Sequence, residues 1–216
     1  MSTLDSIVNR KISSYQPDGN LGHTTRLILA LLQIRHDTVK GHMERVGLLA
    51  EFVAKQLKKD AKAAFFAGLL HDVGKLVLPN HLFAGQNISN DEIDLVKTHA
   101  DASFQALHGF HLFTAYCAGL HHAMYKNGYG LRTENFPTSM QPATIKKILE
   151  IATIVSICDF IDAFTHRKTS IRDGSDLVGP SLFEMLNAKY PDDHLVITIA
   201  LEMNKQEIFL LENQPG

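Results

Sequence analysis

Only two cysteines occur in the 216 residues, Cys117 and Cys158, and no CxxC spacing exists. That argues against a disulfide framework or a zinc–thiolate site. Both thiols lie inside apolar helical patterns and read as small buried packing residues in a reducing compartment. An excess of one charge is also lacking. With 21 Lys and Arg against 23 Asp and Glu the formal net charge is -2, which leaves no basic footprint for an extended nucleic-acid surface. A local basic patch stays open. Long apolar runs are missing too, all falling well short of the roughly 20 residues a membrane span requires. The start, MSTLDSIVNRK, has no signal-peptide core, so the expected location is the cytosol. There is no internal repeat, no low-complexity segment and no linker long enough to divide the chain. Hydrophobic content of 45% and charged content of 20% are ordinary for a soluble domain. One domain, or one large domain with a small appendage, is expected.

What the chain does have is helical periodicity almost throughout. Leu27, Leu29, Leu31, Leu32 and Ile34 mark an apolar helix running up to RHDTVKGH. A second helix carries His42, Val46, Leu49, Val53 and Leu57 at steps of three and four. DAKAAFFAGLLHD (60–72) reads as a short Ala-rich helix, and 80–90 as a loop. SNDEIDLVKTHADASFQAL reads as one helix capped by Ser89 or Asn90, with acids in its first turn. FHLFTAYCAGLHHAMY is a further apolar helix ending in the glycine-bearing KNGYG, and 131–142 is loop. TIKKILEIATIVSICDFIDAF is apolar nearly all round, the mark of a helix buried in the middle of a bundle. HRKTSIRDGSDLVGP is polar and irregular, SLFEMLNAKY is a helix, and LVITIA suits either a short strand or a helix segment. The expected class is an all-α compact bundle.

The chain is also rich in histidine: twelve, several of them in apolar stretches. The sharpest stretch is LLHDVGKLVLP (69–79), where an apolar helical run ends on His71 and Asp72. Burying Asp72 uncompensated would cost on the order of several kcal/mol or force it to take up a proton. Imidazole and carboxylate together suit a first-row divalent metal, which removes that penalty. Other helices supply matching donors. His42 lies in register with Val46 and Leu49, His99 falls just past Val96, and His121 and His122 end an apolar helix together. Asp159 sits in IVSICDFIDAF, where every neighbour one turn away except Asp162 is apolar or small. Each has a plainer explanation: an inward histidine is often a hydrogen-bonded core residue, Asp72 could cap a helix, and Asp159 could pair with Arg45. Five helices would then need five independent excuses. His42, His71, Asp72, His99, His121, His122 and Asp159 are the right number for two metal ions sharing one bridging carboxylate, plus waters.

His42, His71-Asp72 and Asp159 resemble the HD-domain phosphohydrolase superfamily, named for its His-Asp pair. GHMERVGLLAEFVA, FAGLLHDVGKLVLP, DEIDLVKTHADASFQAL, GLHHAMYKNGYG and IVSICDFIDAF follow in order the motifs of its HD-GYP branch, over about residues 35 to 168. The resemblance implies an N-terminal helical extension (1–34), a catalytic core (35–168) with metals at its centre, and a C-terminal extension (169–216) packed on it. It implies His42, His71, Asp72 and Asp159 around one metal, with Asp72 bridging to a second completed by His99, His121 and His122. Lys75 would meet a phosphate oxygen, making Asp72 and Lys75 the catalytic pair. Arg167, Lys168 and Arg172 stand where relatives contact substrate phosphate. The implied activity is two-metal phosphodiester hydrolysis of a cyclic dinucleotide, cyclic di-GMP first, or of a related nucleotide phosphoester. Iron or manganese comes first among the metals, and nickel or zinc would accept the same donors.

The chain departs from that pattern in two places. Where some relatives place a third-metal glutamate, four residues before His42, it has Thr38, which implies two metals. The signature HHExxDGxGYP is replaced by HHAMYKNGYGLR, with Ala123 for the glutamate and no proline. The metal donors are untouched, so the substrate is what these changes bear on. A di-iron oxygenase on the same fold and a non-catalytic signalling scaffold are the alternatives, and a homodimer or a regulatory partner is left open. His36-Asp37 reads as a decoy, with Asp37 as N-cap. His23, His81, His108, His111, His166 and His194 have no partner at ligand spacing.

Overall fold

A long, largely apolar stretch near the C-terminal third of the chain forms the longest helix of the described residues, and five other helices pack against it. The computed structural model describes residues 3–15, 20–85, 87–166 and 180–206. Among these the regular elements are ten α-helices and three short 3-10 turns, with no strand. The all-α bundle is thus what the structure shows.

The chain opens with α1 (Thr3–Tyr15) and α2 (Asn20–Arg35), followed by the long α3 (Asp37–Gln56) and α4 (Ala61–Leu70). A tight turn joins α3 to α4, with Lys58 at φ 55. Asp60 caps α4 by accepting from the Ala63 N–H at 2.8 Å, and pairs with Lys147 at 2.5 Å. The 3-10 turn Val73–Val77 follows, then a second at Asn80–Phe83. Next come α5 (Asn90–Lys97), α6 (His99–His108) and α7 (Leu112–Leu120), the 3-10 turn Thr133–Asn135, and the central α8 (Pro142–His166). Pro142 suits the first position of α8, where its missing N–H has no intrahelical partner to lose. Ile151, Ala152, Val155, Ile157, Cys158 and Ile161 of α8 are buried. Burial of the Ile and Val side chains among them contributes about 1.5–3 kcal/mol each, enough to override the weak helix propensity of a β-branched run. The last two helices are α9 (Leu182–Lys189) and α10 (His194–Gln206). Both cysteines are free and buried. No helix of the described residues is long and apolar enough to cross a membrane.

Several expectations are corrected. LVITIA belongs to a helix, because Ile197 and Ala200 are fully buried on one face of α10, which packs on α3 and α8. The single helix expected over 89–107 is broken at Thr98, whose hydroxyl donates to the Leu95 carbonyl at 2.7 Å and ends α5. α6 then starts with His99 buried at its first position. Ser89, not Asn90, caps α5, in a reciprocal capping box with Glu92. His36, not Asp37, stands at the N-cap of α3, and its side chain makes no capping bond. The leucine-rich α2 is apolar on more than its buried face: Leu29 and Leu32 are buried, but Leu27, Leu31 and Ile34 are exposed.

α1 is fastened to α3 by charge as well as by Ile7, Val8 and Ile12. The Glu51 carboxylate, buried on α3, accepts from Lys11 Nζ at 2.8 Å and from the Tyr15 hydroxyl at 2.6 Å. Lys55 pairs with it at 2.8 Å.

Candidate metal centre

Four elements end or turn so that polar side chains meet at one point against α8. α4 stops at Leu70, and His71 and Asp72 fall in the turn leading into Val73–Val77. Gly74 makes the next approach possible. A Cβ there would collide with the His99 carbonyl, lie 2.6 Å from the Ser103 nitrogen and 2.9 Å from the Ala102 Cβ. Its bare N–H instead donates to Ser103 Oγ at 2.8 Å, which brings α6 against the turn. α7 ends at Leu120, leaving His121 and His122 in the following turn. That turn is closed by the KNGYG loop, in which the Tyr129 N–H donates to the His122 carbonyl at 3.1 Å. A Cβ on Gly128 would collide with that same carbonyl. The Tyr129 ring then stacks on His122 at 4.4 Å and 27°.

The structure brings all seven expected donors together. His42 Nε2 lies 3.1 Å from Asp159 Oδ1 and 3.5 Å from Asp72 Oδ2. His71 Nε2 is 3.3 Å from Asp72 Oδ2. On the other side of the same carboxylate, His99 Nε2 is 3.0 Å and His121 Nε2 3.9 Å from Asp72 Oδ1. His122 Nδ1 lies 4.0 Å from Asp159 Oδ2. Asp72 therefore faces two groups of imidazoles, one on each oxygen. Ligand atoms within 4.8 Å of one another form three overlapping sets: His42, His71 and Asp159; His71, Asp72 and His121; and His99, His121 and His122.

The orientation of the rings is informative. His71, His99 and His121 each donate Nδ1–H to a backbone carbonyl three residues back, those of Gly68 (2.8 Å), Val96 (2.6 Å) and Ala118 (2.5 Å). His42 donates Nδ1–H to Asp162 Oδ2 at 2.7 Å. An acceptor on Nδ1 fixes the tautomer with its Nε2 lone pair facing the centre, which is how metal-ligating histidines are held. Among the described residues six buried side-chain N or O atoms lack a hydrogen-bond partner, and five are in this cluster: Nε2 of His42, His71, His99 and His121, and Oδ1 of Asp72. Native interiors rarely leave such atoms unpaired. These five converge, so a divalent cation fits the donor set.

The electrostatics agree with that fit. Burial lowers the proton affinity of His42, but Asp159, Asp162 and Asp72 outweigh it and hold the pKa up to about 10. At His71 burial is likewise outweighed by Asp72 and Asp159, raising it to about 9. Burial would raise Asp72, but His71, Lys75 and His99 hold it well below the usual carboxylate range, and His42 and His71 do the same for Asp159. Burial and neighbouring imidazoles push His121 well down, and burial takes His122 to about 3 despite Asp159. The centre thus calls for positive charge between Asp72 and Asp159, while the His121–His122 side stays neutral.

Lys75 is buried; its ammonium bonds Asp72 Oδ2, and it lies 5.6 Å over the Phe83 ring. Arg45 pairs with Asp162 through Nε at 2.6 Å and Nη2 at 2.8 Å, so the pairing of Arg45 with Asp159 does not occur. Asp162, passed over in the sequence, is the residue that orients His42. Its signal was a second carboxylate one turn beyond Asp159 in the same buried helix. Tyr129 was likewise missed. His36 lies outside the cluster, edge-on to Phe83 at 5.2 Å, and Asp37 Oδ1 accepts from Gln33 Nε2 at 2.5 Å. Thr38 is exposed. His111 caps α7, His81 pairs with Glu92, His166 with Asp162, and His194 bonds Asn187. Arg167, Lys168 and Arg172 lie outside the described residues.

Comparison with known proteins adds the family. The HD domain pattern matches residues 39–163. Among solved structures, the chain resembles the HD domain of the L. monocytogenes phosphodiesterase PgpH at 17% identity and a TM-score of 0.48, covering 87% of this chain and 86% of that one. The same domain in complex with cyclic-di-AMP gives 17% identity and a TM-score of 0.47, with 87% and 85% covered. A search of curated proteins by sequence found no match.

Proposed function

The chain belongs to the HD domain family, and we propose that it is a metal-dependent phosphohydrolase, a phosphodiesterase of the HD-GYP type acting on a cyclic dinucleotide. The observation that supports this most is the set of five converging buried donor atoms without partners. His42, His71, Asp72 and Asp159 would hold one divalent ion; Asp72, His99, His121 and His122 would hold a second. When bound, such ions supply Lewis acidity, activating water near neutral pH and offsetting charge on the phosphoryl oxygens.

The chain's own groups do the rest. Asp72 presents one oxygen to each set of imidazoles and fixes their spacing. The backbone carbonyls and Asp162 keep the Nε2 lone pairs aimed inward. Lys75, held against Asp72, donates to a non-bridging phosphate oxygen as a compact point charge. The surrounding apolar residues of α4, α7 and α8 keep bulk water from screening these charges. Residues 35–168 form the catalytic core, with 1–34 and 169–216 as extensions. Cyclic di-GMP is the first substrate to test, since the motif order resembles the branch that cleaves it. Ala123 and the missing proline depart from that branch in the loop after His122, so other nucleobases are tested beside guanine.

The test is product analysis on metal-loaded protein with cyclic guanine and adenine dinucleotides, nucleoside monophosphates and a simple phosphodiester. Linear dinucleotide that disappears with Asp72→Asn supports the reading. No hydrolysis of any member, by protein with its metals in place, overturns it.

A further inference from the structure

Beyond the residues the family pattern covers, α9 returns to the metal centre. Tyr190, at its C-cap, is buried; its hydroxyl meets Ser156 Oγ at 2.8 Å and donates to the Ser156 carbonyl at 3.1 Å. Ser156 is one turn before Asp159 on α8, so this anchor fixes the end of α9 beside the centre. The Lys126 N–H adds a bond to the Lys189 carbonyl at 3.2 Å, tying α9 to the loop that follows His122. The Lys189 side chain is thereby held over two rings, 3.9 Å from the Tyr125 centroid and 4.7 Å from that of Phe160. Phe160 adjoins Asp159, and the Tyr125 ring lies 6.0 Å from His122. Lys189 is half-buried, and no carboxylate of the described residues pairs with it. Asp159 is the acid whose field it feels.

A partly desolvated ammonium resting on aromatic faces keeps its hydrogen-bonding capacity for an incoming acceptor. Lys75 already stands on the Asp72 side of the centre. We propose that Lys189 binds the second phosphate of a dinucleotide substrate, the one not being cleaved, and so selects two-phosphate ligands over single phosphoesters. This rests on the phosphodiesterase reading above. Tyr190 is a positioning residue in it, acting through the backbone of Lys189.

The experiment compares wild type, Lys189→Met and Lys189→Arg, all metal-loaded, on a cyclic dinucleotide and on bis(p-nitrophenyl) phosphate, which has a single phosphate. Loss of a charge-assisted contact should raise KM for the dinucleotide about tenfold in Lys189→Met, with KM for the single-phosphate ester changed less than about twofold. Metal content and melting temperature should be unchanged, and Lys189→Arg should restore most of the KM. Equal KM shifts on both substrates, or a shift accompanied by metal loss, overturn the proposal and leave the phosphodiesterase reading in place. If wild type cleaves neither substrate, the phosphodiesterase reading fails. Lys189 is then judged by titrating metal-loaded protein with a 5′-phosphorylated linear dinucleotide, which carries two phosphates. Binding weakened about tenfold in Lys189→Met supports it; equal binding, or none by wild type, overturns it.

Discussion

Asp162→Asn isolates the role of the residue that aims His42. The carboxylate accepts three hydrogen bonds, one from His42 at 2.7 Å and two from Arg45 at 2.6 and 2.8 Å. An amide of the same shape has one acceptor oxygen and one donor NH2. If its oxygen takes the Oδ1 place against Arg45 Nε, the NH2 takes the Oδ2 place, where it meets Arg45 Nη2 donor to donor and needs a lone pair on His42 Nδ1. The imidazole proton then moves to Nε2, which no longer ligates. Loss of such an orienting partner costs about 10–100-fold in metal affinity, or about 1.4–2.7 kcal/mol. If the amide flips instead, His42 and Arg45 Nη2 keep an acceptor and only Arg45 Nε meets a donor; in either orientation Arg45 loses one charged hydrogen bond, at a cost of about 1–3 kcal/mol. The assay is manganese binding by competition with a chromophoric chelator at neutral pH, beside a melting curve. The expected result is metal affinity reduced at least about tenfold with only modest destabilisation. Unchanged affinity together with an unchanged melting temperature would refute the claim that Asp162 sets the His42 tautomer.

Gly74→Ala should fail differently, because the atoms met by the new Cβ are mainly backbone of α6. Overpacking of about 1–3 kcal/mol or more and a displaced His99 should appear as a lower melting temperature and weakened binding of one metal in a chelator titration. The α1–α3 junction gives a pH dependence. Burial would raise the Glu51 pKa, but Lys11, Lys55 and Tyr15 hold it below its ordinary value. A depressed carboxylate stabilises the fold above its unfolded pKa near 4.5 and loses that contribution as pH falls through the folded pKa. Glu51→Gln should therefore cost on the order of 1–3 kcal/mol at pH 7 and show less further loss below about pH 4.5 than wild type, read by denaturant titration. Metal removal is the fourth case: a strong chelator should lower the melting temperature, because ions bound only by the folded centre stabilise it by mass action.

The fold and the centre were legible to different depths. α8 declared itself, since a stretch apolar on every side has nowhere to go but the middle of a bundle. The donors in and after apolar helices were legible for the same reason, an inward polar group being costly without a partner. What the sequence did not reveal was orientation. Asp162 and Asp159 are two carboxylates in one buried helix, and nothing in their spacing says which meets Arg45; the structure gives that pair to Asp162 and turns Asp159 toward the imidazoles. The break at Thr98 depends on one side-chain bond to Leu95 that competes with the helix ladder. LVITIA misleads because its β-branched residues resemble a strand, while burial of Ile197 and Ala200 decides for a helix. Lys189 was illegible for another reason: its neighbours Tyr125 and Phe160 are far away in the chain, and the Tyr190–Ser156 anchor and the Lys126–Lys189 backbone bond bring them together.

The most direct test of the central claim is the metal-to-protein ratio of protein purified without added metal, measured by mass spectrometry beside Asp72→Ala. Two divalent ions per wild-type chain, with both lost or sharply reduced when the shared carboxylate is removed, is the expected result. Wild-type protein that is folded and metal-free, or an Asp72→Ala variant that keeps its full complement, would contradict the account.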